Sequence, residues 1–352
     1  MVHNSKRPSL KDVARMAGTS TATASRAISG KGYVSAETRA RILDTVQKLN
    51  YQPNLQARAL LQRSSCTIGL VIPNLLNVYY TALADSLSQL LHARGYHLLL
   101  ASTREDPEVE QSMLYDMVGR AVDGLIWVPS DASPALLEYL LDQHTPAVSI
   151  VRRVPGDLLD AIVFEDFAGS QAATRHLLSL GHARIGYIGG DIRYSSNYDR
   201  WQGHLDTLKE AGVAADESLV KLGSARSLWG EMATNELLRL PEPPTAIFVA
   251  SNAIMPGVLK TLRLHNIRLP EEMSLICFDD MDWFSYSIPS ITAVTTNPMR
   301  FAEAVVDLIM KRIQTPKGLD EPPVLIQINF ELVLRRSTVP PRRQPILHPA
   351  GA

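Results

Sequence analysis

Apolar positions change their spacing near residue 66, and this change divides the chain into two parts. Before it, apolar residues recur at helical spacing, as Ile42, Val46 and Leu49 do on one face of a predicted helix. After it, short apolar runs alternate with longer amphipathic segments. Such alternation is typical of parallel β-sheets covered by helices on both faces. The pattern therefore predicts a small all-α unit followed by a large α/β unit.

Start signals predict three helices in the N-terminal unit. Ser9, Ser20 and Ser35 stand at expected N-cap positions, and Asp12 has the capping-box spacing from Ser9. Gly18 supplies the turn between the first two helices. The side chains expected to form the core are Val13, Ala17, Ala24, Ile28, Ile42 and Val46. Three short helices with a tight turn between the first two are typical of a helix-turn-helix unit.

The second predicted helix, residues 20–29, consists mostly of Ser, Thr and Ala with one long cation, Arg26. Small side chains allow a helix to approach base edges closely, while hydroxyl groups hold phosphates. We therefore predict a DNA recognition helix whose partner is double-stranded DNA. Helix capping is the alternative explanation of its hydroxyl groups.

The charge distribution supports a polyanionic partner for the N-terminal unit. Residues 1–63 contain eleven Lys and Arg against three acidic residues, whereas the remainder contains 24 against 33. Clustered cations gain affinity for a phosphate backbone by releasing counterions. A basic arm that is merely solvated would have the same charge. The charge therefore supports DNA binding only in combination with the helix-turn-helix motif.

Two further segments are predicted to be conditionally folded or disordered. Pro53 ends the helical pattern, and residues 53–65 include a short segment that Asn54 can cap but that has too few turns to be stable alone. We predict a hinge helix that folds only with DNA and a second subunit; an ordinary linker is the alternative. The Pro-rich residues 341–352 lack periodicity, and we expect a disordered tail.

The α/β part, residues 66–340, is predicted to form two lobes because its roughly 270 residues exceed one common core. We assign about 66–162 plus 296–323 to the first lobe and about 163–295 plus 324–340 to the second. Eight helices are predicted, from Tyr79–Arg94 to Met299–Gln314. The strands are predicted at Thr67–Ile72, Tyr96–Ala101, Gly124–Val128, Ala147–Val151, Ile185–Ile188, Ala246–Val249 and Ser274–Phe278. A ligand is expected in the crevice at their carboxyl ends.

The sequence lacks the signatures of catalysis and of membrane insertion. A Gly-x-Ser-x-Gly motif, a Walker loop and a His/Cys cluster at metal spacing are absent, so we predict no catalytic residue, metal site or cofactor. No apolar signal segment is present, and no stretch approaches the about 18 apolar residues of a membrane span. We expect a cytosolic protein without a membrane partner, in which Cys66 and Cys277 are buried free thiols.

Short segments along the chain share their order with a known family. They are LKDVARMAGTS from Leu10, TASR from Thr23, VSAETR from Val34, LNYQPN from Leu49, IGLVIP from Ile68, LGH from Leu180, RWQG from Arg200 and FDD from Phe278. In this order they resemble the lactose/galactose repressor family of bacterial transcription regulators over nearly the whole chain. The resemblance implies a helix-turn-helix headpiece at residues 1–52, a hinge helix, and a two-lobed core resembling periplasmic sugar-binding proteins. It also implies a homodimer acting on a near-palindromic operator.

Carried over by position, the resemblance implies roles in DNA binding. Thr21, Ala22 and Arg26 would read bases, with Ala22 limited to an apolar contact. In the hinge segment, Asn54 and Ala57 would contact DNA, and Leu60 would be the wedge that enters a central minor-groove step. The phosphate or register contacts would be Ser9, Ser20, Thr23, Ser25, Tyr33 and Ser35.

In the core, the resemblance implies a small-molecule effector in the cleft. The implied contacts are Asn77, Tyr79, Tyr80, Arg152, Arg200, Asn252 and Asp279. The family often has Asp-Arg after the fourth strand and Asn-Asp after the sixth predicted strand; here the pairs are Val151-Arg152 and Ser251-Asn252. Two carboxylates that would bind sugar hydroxyls are thus missing. Arg200 is expected at a helix start and therefore needs a partner. If it converges with Arg152, the two guanidinium groups can clamp a sugar acid. A neutral sugar is the alternative ligand.

The expected function is a ligand-responsive repressor of a sugar or sugar-acid catabolic operon. The effector would either release the protein from a palindromic operator or tighten its binding to that operator. A solute-binding protein of a transport system is the alternative, which the α/β part alone would support and the basic N-terminal unit opposes.

The leucine stripe Leu83, Leu87, Leu90 and Leu91 is either a dimer face or internal core. Because the tail has no leucine heptads, we expect a dimer rather than a tetramer.

Overall fold

The computed structural model of the protein describes residues 8–30, 32–51, 64–130, 132–315 and 321–342. The chain divides into two compact units, Met1–Ser65 and Cys66–Ala352. The predicted hinge helix with Asn54, Ala57 and Leu60 lies outside the described residues, as do residues 343–352 of the predicted tail.

Three helices make up the described part of the first unit: α1 (Leu10–Met16), α2 (Thr21–Ser29) and α3 (Ala36–Lys48). Each predicted serine caps its helix by accepting a hydrogen bond from the backbone N–H three residues later. Gly18 turns the chain with a φ of 59°. The predicted core residues are buried or partly buried together: Val13, Ala17, Ala24, Ile28, Ile42 and Val46. The predicted helix-turn-helix fold is confirmed.

The first lobe of the second unit is built on a six-stranded parallel sheet. Its strands are β1 (Thr67–Ile72), β2 (His97–Ser102), β3 (Gly124–Trp127), β4 (Ala147–Ile150), β5 (Asp160–Phe164) and β11 (Leu325–Ile328), in the order β11-β5-β4-β3-β1-β2. One face packs on α4 (Val78–Ala93) and α12 (Pro298–Gln314). The other packs on α5 (Pro107–Gly119) and α6 (Pro134–Asp142).

The second lobe repeats this architecture with one antiparallel strand at the edge. Its strands are β6 (Ile185–Gly189), β7 (Val220–Leu222), β8 (Ala246–Val249), β9 (Ser274–Phe278), β10 (Thr292–Thr295) and β12 (Glu331–Val333), in the order β12-β10-β9-β8-β6-β7. Helices α7 (Asp166–Ser179) and α8 (Ser195–Glu210) cover one face. The other face carries α9 (Ser227–Leu238), α10 (Met255–Leu264) and α11 (Asp282–Tyr286).

The chain crosses between the lobes three times, and one predicted boundary is wrong. Residues 324–340 were expected in the second lobe, but Leu325–Ile328 pair in parallel with β5 of the first sheet. The chain joins the second sheet only at Glu331, which pairs with Thr295. A strand this short is assigned to a sheet by its hydrogen-bond partner, which its own sequence pattern does not identify.

The leucine stripe of α4 belongs to the interior of the first lobe. Leu83, Leu87 and Leu91 are each 0% exposed and pack in one hydrophobic cluster. Core packing is therefore the correct explanation of the stripe.

Cys277 is buried as expected, whereas Cys66 is partly exposed, and neither forms a disulfide. Among the described residues, no helix has the length and apolar character needed to cross a membrane.

Candidate functional site

The exposed face of α2 is narrow and carries mostly small side chains. Thr21, Ala22, Ser25 and Arg26 are exposed, while the helix buries alanines on its opposite face. Residues at i and i+4 are neighbours on a helix, so Thr21 lies beside Ser25 and Ala22 lies beside Arg26. The single long side chain thus stands among groups that allow another surface to approach closely.

The Arg26 side chain has space because a glycine follows the helix. Its Nε donates to the carbonyl of Ala22 at 3.4 Å. A Cβ atom at Gly32 would lie 3.1 Å from Arg26 Cδ, which is tighter than ordinary contact, and Gly32 also has a φ of 84°. A side chain at position 32 would therefore be strained and would push the arginine by a few tenths of an ångström.

Several of the predicted phosphate contacts already have hydrogen-bond partners within the unit. The hydroxyls of Ser9, Ser20 and Ser35 each share a hydrogen bond with the side chain three residues later, at 2.6 to 2.9 Å. Thr23 is the partner of Ser20. Tyr33, by contrast, is 89% exposed. Helix capping therefore accounts for these three serine hydroxyls in the folded unit.

A cavity of about 900 Å³ lies between the two lobes of the second unit. Segments that follow the carboxyl ends of β1, β2, β4, β8 and β9 line it, which is where parallel sheets place ligand contacts. All seven predicted effector residues are among its lining residues: Asn77, Tyr79, Tyr80, Arg152, Arg200, Asn252 and Asp279. Residues spread over 200 positions of sequence thus meet in one place.

Arg200 of α8 is 4% exposed and is held by protein groups. Its Nε donates to Asp166 at 2.7 Å, its Nη1 donates to the carbonyl of Ala250 at 2.7 Å, and both Nη atoms reach Asp279 at 3.3 Å. The guanidinium also lies 3.7 Å from the centre of the Phe278 ring. Arg200 is in the second turn of α8. The expectation that Arg200 lies at a helix start and takes a ligand as its partner is therefore wrong, because protein groups already pair with it.

Asp166 shares the guanidinium of Arg200 with Asp279, and its buried position affects its ionisation. Burial raises the pKa of Asp166 to about 7; Arg200 opposes the rise and repulsion from Asp279 adds to it. Burial opposes the charge of Arg200, but Asp279 and Asp166 outweigh it and raise the pKa of the arginine. Asp166 is therefore mostly neutral below pH 7 and mostly charged above it.

Arg152, in the turn after β4, also has protein partners. Its Nη2 donates to Glu105 at 2.8 Å and its Nη1 donates to the carbonyl of Pro129 at 3.0 Å. Its guanidinium stacks 3.6 Å over the ring of Tyr194, which belongs to the second lobe. Each of Arg152 and Arg200 thus faces a carboxylate of the protein. The structure does not support the expectation that these two arginines clamp one anionic ligand.

Only one member of the Asp279–Asp280 pair lines the cavity. Asp280 accepts hydrogen bonds from both Nη atoms of Arg335, at 2.8 and 2.5 Å, and Arg335 also donates to the carbonyl of Ile291. Asp280 therefore anchors the C-terminal segment, while Asp279 turns toward Arg200 with a φ of 69°.

Both units match models of known protein families. The model of bacterial regulatory proteins of the lacI family covers residues 9–54, and that of periplasmic binding protein-like domains covers residues 174–338. The HTH-type transcriptional repressor PurR of Actinobacillus pleuropneumoniae serotype 3 (strain JL03) is 30% identical over 328 residues, which are 93% of this chain and 97% of the relative. The chain belongs to the lacI family of bacterial regulatory proteins. The PurR repressor of Haemophilus influenzae (strain PittEE) is 29% identical, covering 93% of this chain and 98% of the relative.

Solved structures of lacI-family regulators have the same fold. The lac repressor dimer bound to operator and the anti-inducer ONPF superposes with a TM-score of 0.84 at 22% identity, covering 95% of this chain and 100% of that chain. The complex of the transcriptional regulator CelR with cellobiose has a TM-score of 0.70 at 28% identity, covering 94% and 100%. The two-lobed fold is confirmed. The chain is a ligand-responsive, DNA-binding transcriptional repressor of the lacI family.

The two departures from the lacI-family pattern both lie in the cavity. Val151 has a φ of 65°, and the next N–H donates to the carbonyl of Ile150 at 2.7 Å, which is a strained turn for a β-branched residue. Asn252 is 6% exposed, and its Nδ2 has no hydrogen-bond partner within the described ranges. The hydroxyl of Tyr79 is likewise buried without a described partner. Asn252, where the family pattern often has a carboxylate, thus has an enclosed donor without a described partner beside the cavity.

Sequence reasoning missed three charged residues of the lining. Arg104 and Glu105 lie two and three residues after the end of β2, and Arg226 directly precedes α9. The expectation that ligand contacts follow strand ends would have identified the first two. Arg226 gave no such signal, because the preceding strand, β7, has only three residues and was not predicted.

Proposed function

We propose that this repressor binds a two-fold symmetric operator as a homodimer and controls a sugar or sugar-acid catabolic operon. It acts in the cytoplasm, where a sugar or sugar acid in the interlobe cavity changes its affinity for the operator. The observation that carries the proposal is that seven predicted effector residues from both lobes line one cavity of about 900 Å³. A ligand that contacts both lobes can favour one lobe arrangement, which is what coupling to DNA requires.

Helix α2 is the proposed DNA-reading element. Arg26 can donate two hydrogen bonds to the edge of a guanine, Thr21 supplies a hydroxyl, and Ala22 is limited to apolar contact with a thymine methyl. The exposure of these three side chains on one face supports these roles. The proposed backbone or register contacts are Ser9, Ser20, Thr23, Ser25, Tyr33 and Ser35.

The hinge segment is proposed to make DNA binding depend on two subunits. Asn54 would cap it, Ala57 would contact DNA, and Leu60 would enter a minor-groove step. Unstacking that step costs a few kcal/mol, which the contacts made on the bent DNA offset. A segment of this length does not form a stable helix alone, so pairing with a second copy would stabilise it.

Exposed apolar side chains in both lobes support the homodimer. Leu99 and Leu100 on the edge strand β2 are 37% and 39% exposed. Leu228 and Met232, one turn apart on α9, are 67% and 52% exposed. These side chains are candidates for an interface with a second copy, although Leu228 also lines the interlobe cavity. The buried leucines of α4 take no part in this proposal.

The function is tested by selecting genomic DNA fragments with the purified full-length protein and measuring their electrophoretic retardation. A retained fragment is expected to contain an inverted repeat and to lie close to sugar-catabolic genes. One sugar or sugar acid is expected to abolish or strengthen the shift, and the sign distinguishes an inducer from a co-repressor. If no fragment is retained while a sugar binds, the solute-binding alternative is favoured and the proposal is wrong.

A further inference from the structure

The charged side chains that line the interlobe cavity do not balance. Within the described residues they are Arg104, Arg152, Arg200, Arg226, Glu105 and Asp279. Both carboxylates are already paired, Glu105 with Arg152 at 2.8 Å and Asp279 with Arg200 at 3.3 Å. The cavity lining therefore has an excess of positive charge, which the buried Asp166 behind Arg200 reduces but does not cancel, and the walls of a cleft strengthen the resulting field.

The excess charge belongs to Arg104 and Arg226. Neither guanidinium forms an ion pair or a hydrogen bond with any residue that the structure describes. Arg104 comes from the first lobe, after β2, and Arg226 comes from the second lobe, before α9. Both side chains are exposed to the open cleft. The cavity thus presents one uncommitted guanidinium from each lobe.

We propose that the effector carries a carboxylate or phosphate group that is held by Arg104 and Arg226. This inference rests on the proposed function, because it takes the interlobe cavity as the effector site. Guanidinium groups bind both kinds of anion through paired hydrogen bonds. The anion contacts are then these two arginines, while Arg152 and Arg200 hold the site's own carboxylates in place.

The loop that carries Arg104 has an unusual backbone. Arg104 and Glu105 both have positive φ, at 58° and 63°. The buried hydroxyl of Thr103 accepts a hydrogen bond from the Glu105 N–H at 3.2 Å and so supports this conformation. Consecutive left-handed residues that are not glycine are costly and are found where function requires them. Here they direct Glu105 to Arg152 and leave Arg104 lining the cavity.

The segment around Arg226 also favours an anion. Arg226 is the N-cap residue of the twelve-residue helix α9, but no side chain caps this helix and its first turn contains no acidic residue. Ser227 and Leu228 of the first turn line the same cavity. The positive end of the helix dipole therefore adds to the charge of the guanidinium.

Asn252 supplies an independent indication of a ligand in this cavity. It is 6% exposed and lines the cavity from the carboxyl end of β8, and its Nδ2 has no partner among the described residues. The hydroxyl of Tyr79 is also buried without a hydrogen-bond partner among the described residues. Buried donors without acceptors are unfavourable. A ligand that satisfies them must supply oxygen acceptors, which a purely apolar ligand lacks, and must reach atoms that are closed to solvent in this structure.

An anion between Arg104 and Arg226 would join the two lobes. A neutral analogue could satisfy Asn252 and Tyr79, but it would leave both guanidinium groups unpaired. The charged group therefore provides the difference in affinity between lobe arrangements on which regulation depends. We expect this group, rather than the sugar ring alone, to determine which metabolites are effectors.

The experiment uses the full-length protein and a small-molecule extract of bacterial cells that has been divided on an anion-exchange resin. Thermal unfolding is measured with the retained, anionic fraction and with the unretained fraction. Only the retained fraction is expected to raise the melting temperature. Gluconate, glucuronate and glucose 6-phosphate, each compared with glucose, then distinguish a carboxylate from a phosphate.

Three variants test the assignment of residues. Arg104→Gln and Arg226→Gln are each expected to raise the half-maximal concentration of the retained fraction at least tenfold, with the melting temperature of the unliganded protein unchanged. Arg239→Gln is the matched control, because Arg239 is exposed at the other end of the same helix, α9, and lies outside the cavity lining. It is expected to behave like the wild type.

Each outcome decides between distinct conclusions. Stabilisation by the unretained fraction alone would overturn this inference and leave the proposed function standing. Stabilisation by the retained fraction that neither glutamine variant weakens would overturn the assignment to Arg104 and Arg226. If neither fraction stabilises the protein, both this inference and the proposed effector site fail, while the DNA-retardation experiment still tests operator binding by itself.

Discussion

The environment of Arg200 shows how a side chain's role depends on residues far away in sequence. Sequence position indicates only a cation near the start of a helix that needs a partner. In the fold, Asp166, Asp279 and the carbonyl of Ala250 supply that partner, from positions 34 to 79 residues away. The family resemblance therefore predicted that Arg200 lines the cavity, but the sequence did not predict what it binds there.

Replacement of Arg26 tests DNA reading at the scale of one residue. Arg26→Ala is expected to remove about 1–3 kcal/mol of discrimination between the operator and unrelated DNA, because one bidentate base contact is lost. Effector affinity is expected to stay unchanged. Competition footprinting and calorimetry measure the two quantities.

Arg41→Ala is the control for the Arg26 experiment, since Arg41 is exposed on α3 rather than on α2. It is expected to weaken operator and unrelated DNA equally, through charge alone. A footprint that Arg26→Ala leaves unchanged would refute the assignment of Arg26.

Asp166 leads to a prediction about pH and stability. The unfolded chain releases this proton near pH 3.8 and the folded protein near pH 7, so between these values the folded state binds more protons. Stability contributed through Asp166 therefore falls as pH rises across this window and is constant above it. Asp166→Asn removes the titration. The difference in free energy of unfolding, wild type minus variant, is expected to decrease from about pH 5 to about pH 8 in urea titrations.

If the difference in free energy of unfolding instead increased with pH, the attraction of Arg200 would outweigh the effect of burial on the pKa of Asp166. In that case the folded-state pKa would lie below 3.8, and the difference would increase with pH below that value. A pH-independent difference would also contradict the prediction. Both wild type and variant must unfold in a single transition for the comparison to hold.

At the scale of elements, α9 and α10 pack so closely that glycine is required where they meet. A Cβ atom at Gly257 would lie 1.8 Å from the backbone oxygen of Ser227 and 2.7 Å from the backbone nitrogen of Glu231. Because both obstacles are backbone atoms, no side chain can move aside. In sequence, a glycine within a helix indicates only a loss of helix propensity.

Gly257→Ala is therefore expected to destabilise the protein by about 1–3 kcal/mol or more, because the two helices must move apart. Gly119→Ala is the matched control, since a Cβ atom at the last residue of α5 would have no neighbour within 4 Å. There the better helix propensity of alanine is expected to raise stability by up to about 1 kcal/mol. Urea unfolding measures both, and equal effects would contradict the packing argument.

Element prediction succeeded where local patterns are strong. The seven predicted strands lie within one residue of observed strands at each end, as β1 and β9 illustrate, and the eight helices lie within three residues. The strands that were missed, β5, β7, β10, β11 and β12, have three to five residues. Segments this short form strands because a neighbouring strand supplies hydrogen bonds, so their own pattern carries little information.

At the scale of the whole molecule, the proposed homodimer can be weakened without disturbing the lobes. Leu100→Glu on β2 and Met232→Glu on α9 each place a charge on exposed apolar surface. Each is expected to raise the dimer dissociation constant at least tenfold, about 1.4 kcal/mol, because a carboxylate must be desolvated at the interface. Light scattering across a dilution series measures this change, and operator affinity is expected to fall with it.

Leu141→Glu serves as the control for dimerisation. Leu141 is 46% exposed on α6, away from both β2 and α9 in sequence. It is expected to leave the dissociation constant unchanged. A monomeric wild type, or a dimer that neither interface variant weakens, would contradict the proposed surface.

The sequence by itself determined the helix-turn-helix unit and the alternation of strands and helices in two lobes. These features follow from caps, periodicity and chain length. The resemblance to the lacI family added seven residues that line the interlobe cavity, but not Arg104, Glu105 or Arg226. Only the tertiary structure decided which charges in the cavity are already neutralised. Glu105 meets Arg152 across 47 positions and Asp279 meets Arg200 across 79. Ion pairing depends on distances in space, and the fold sets those distances.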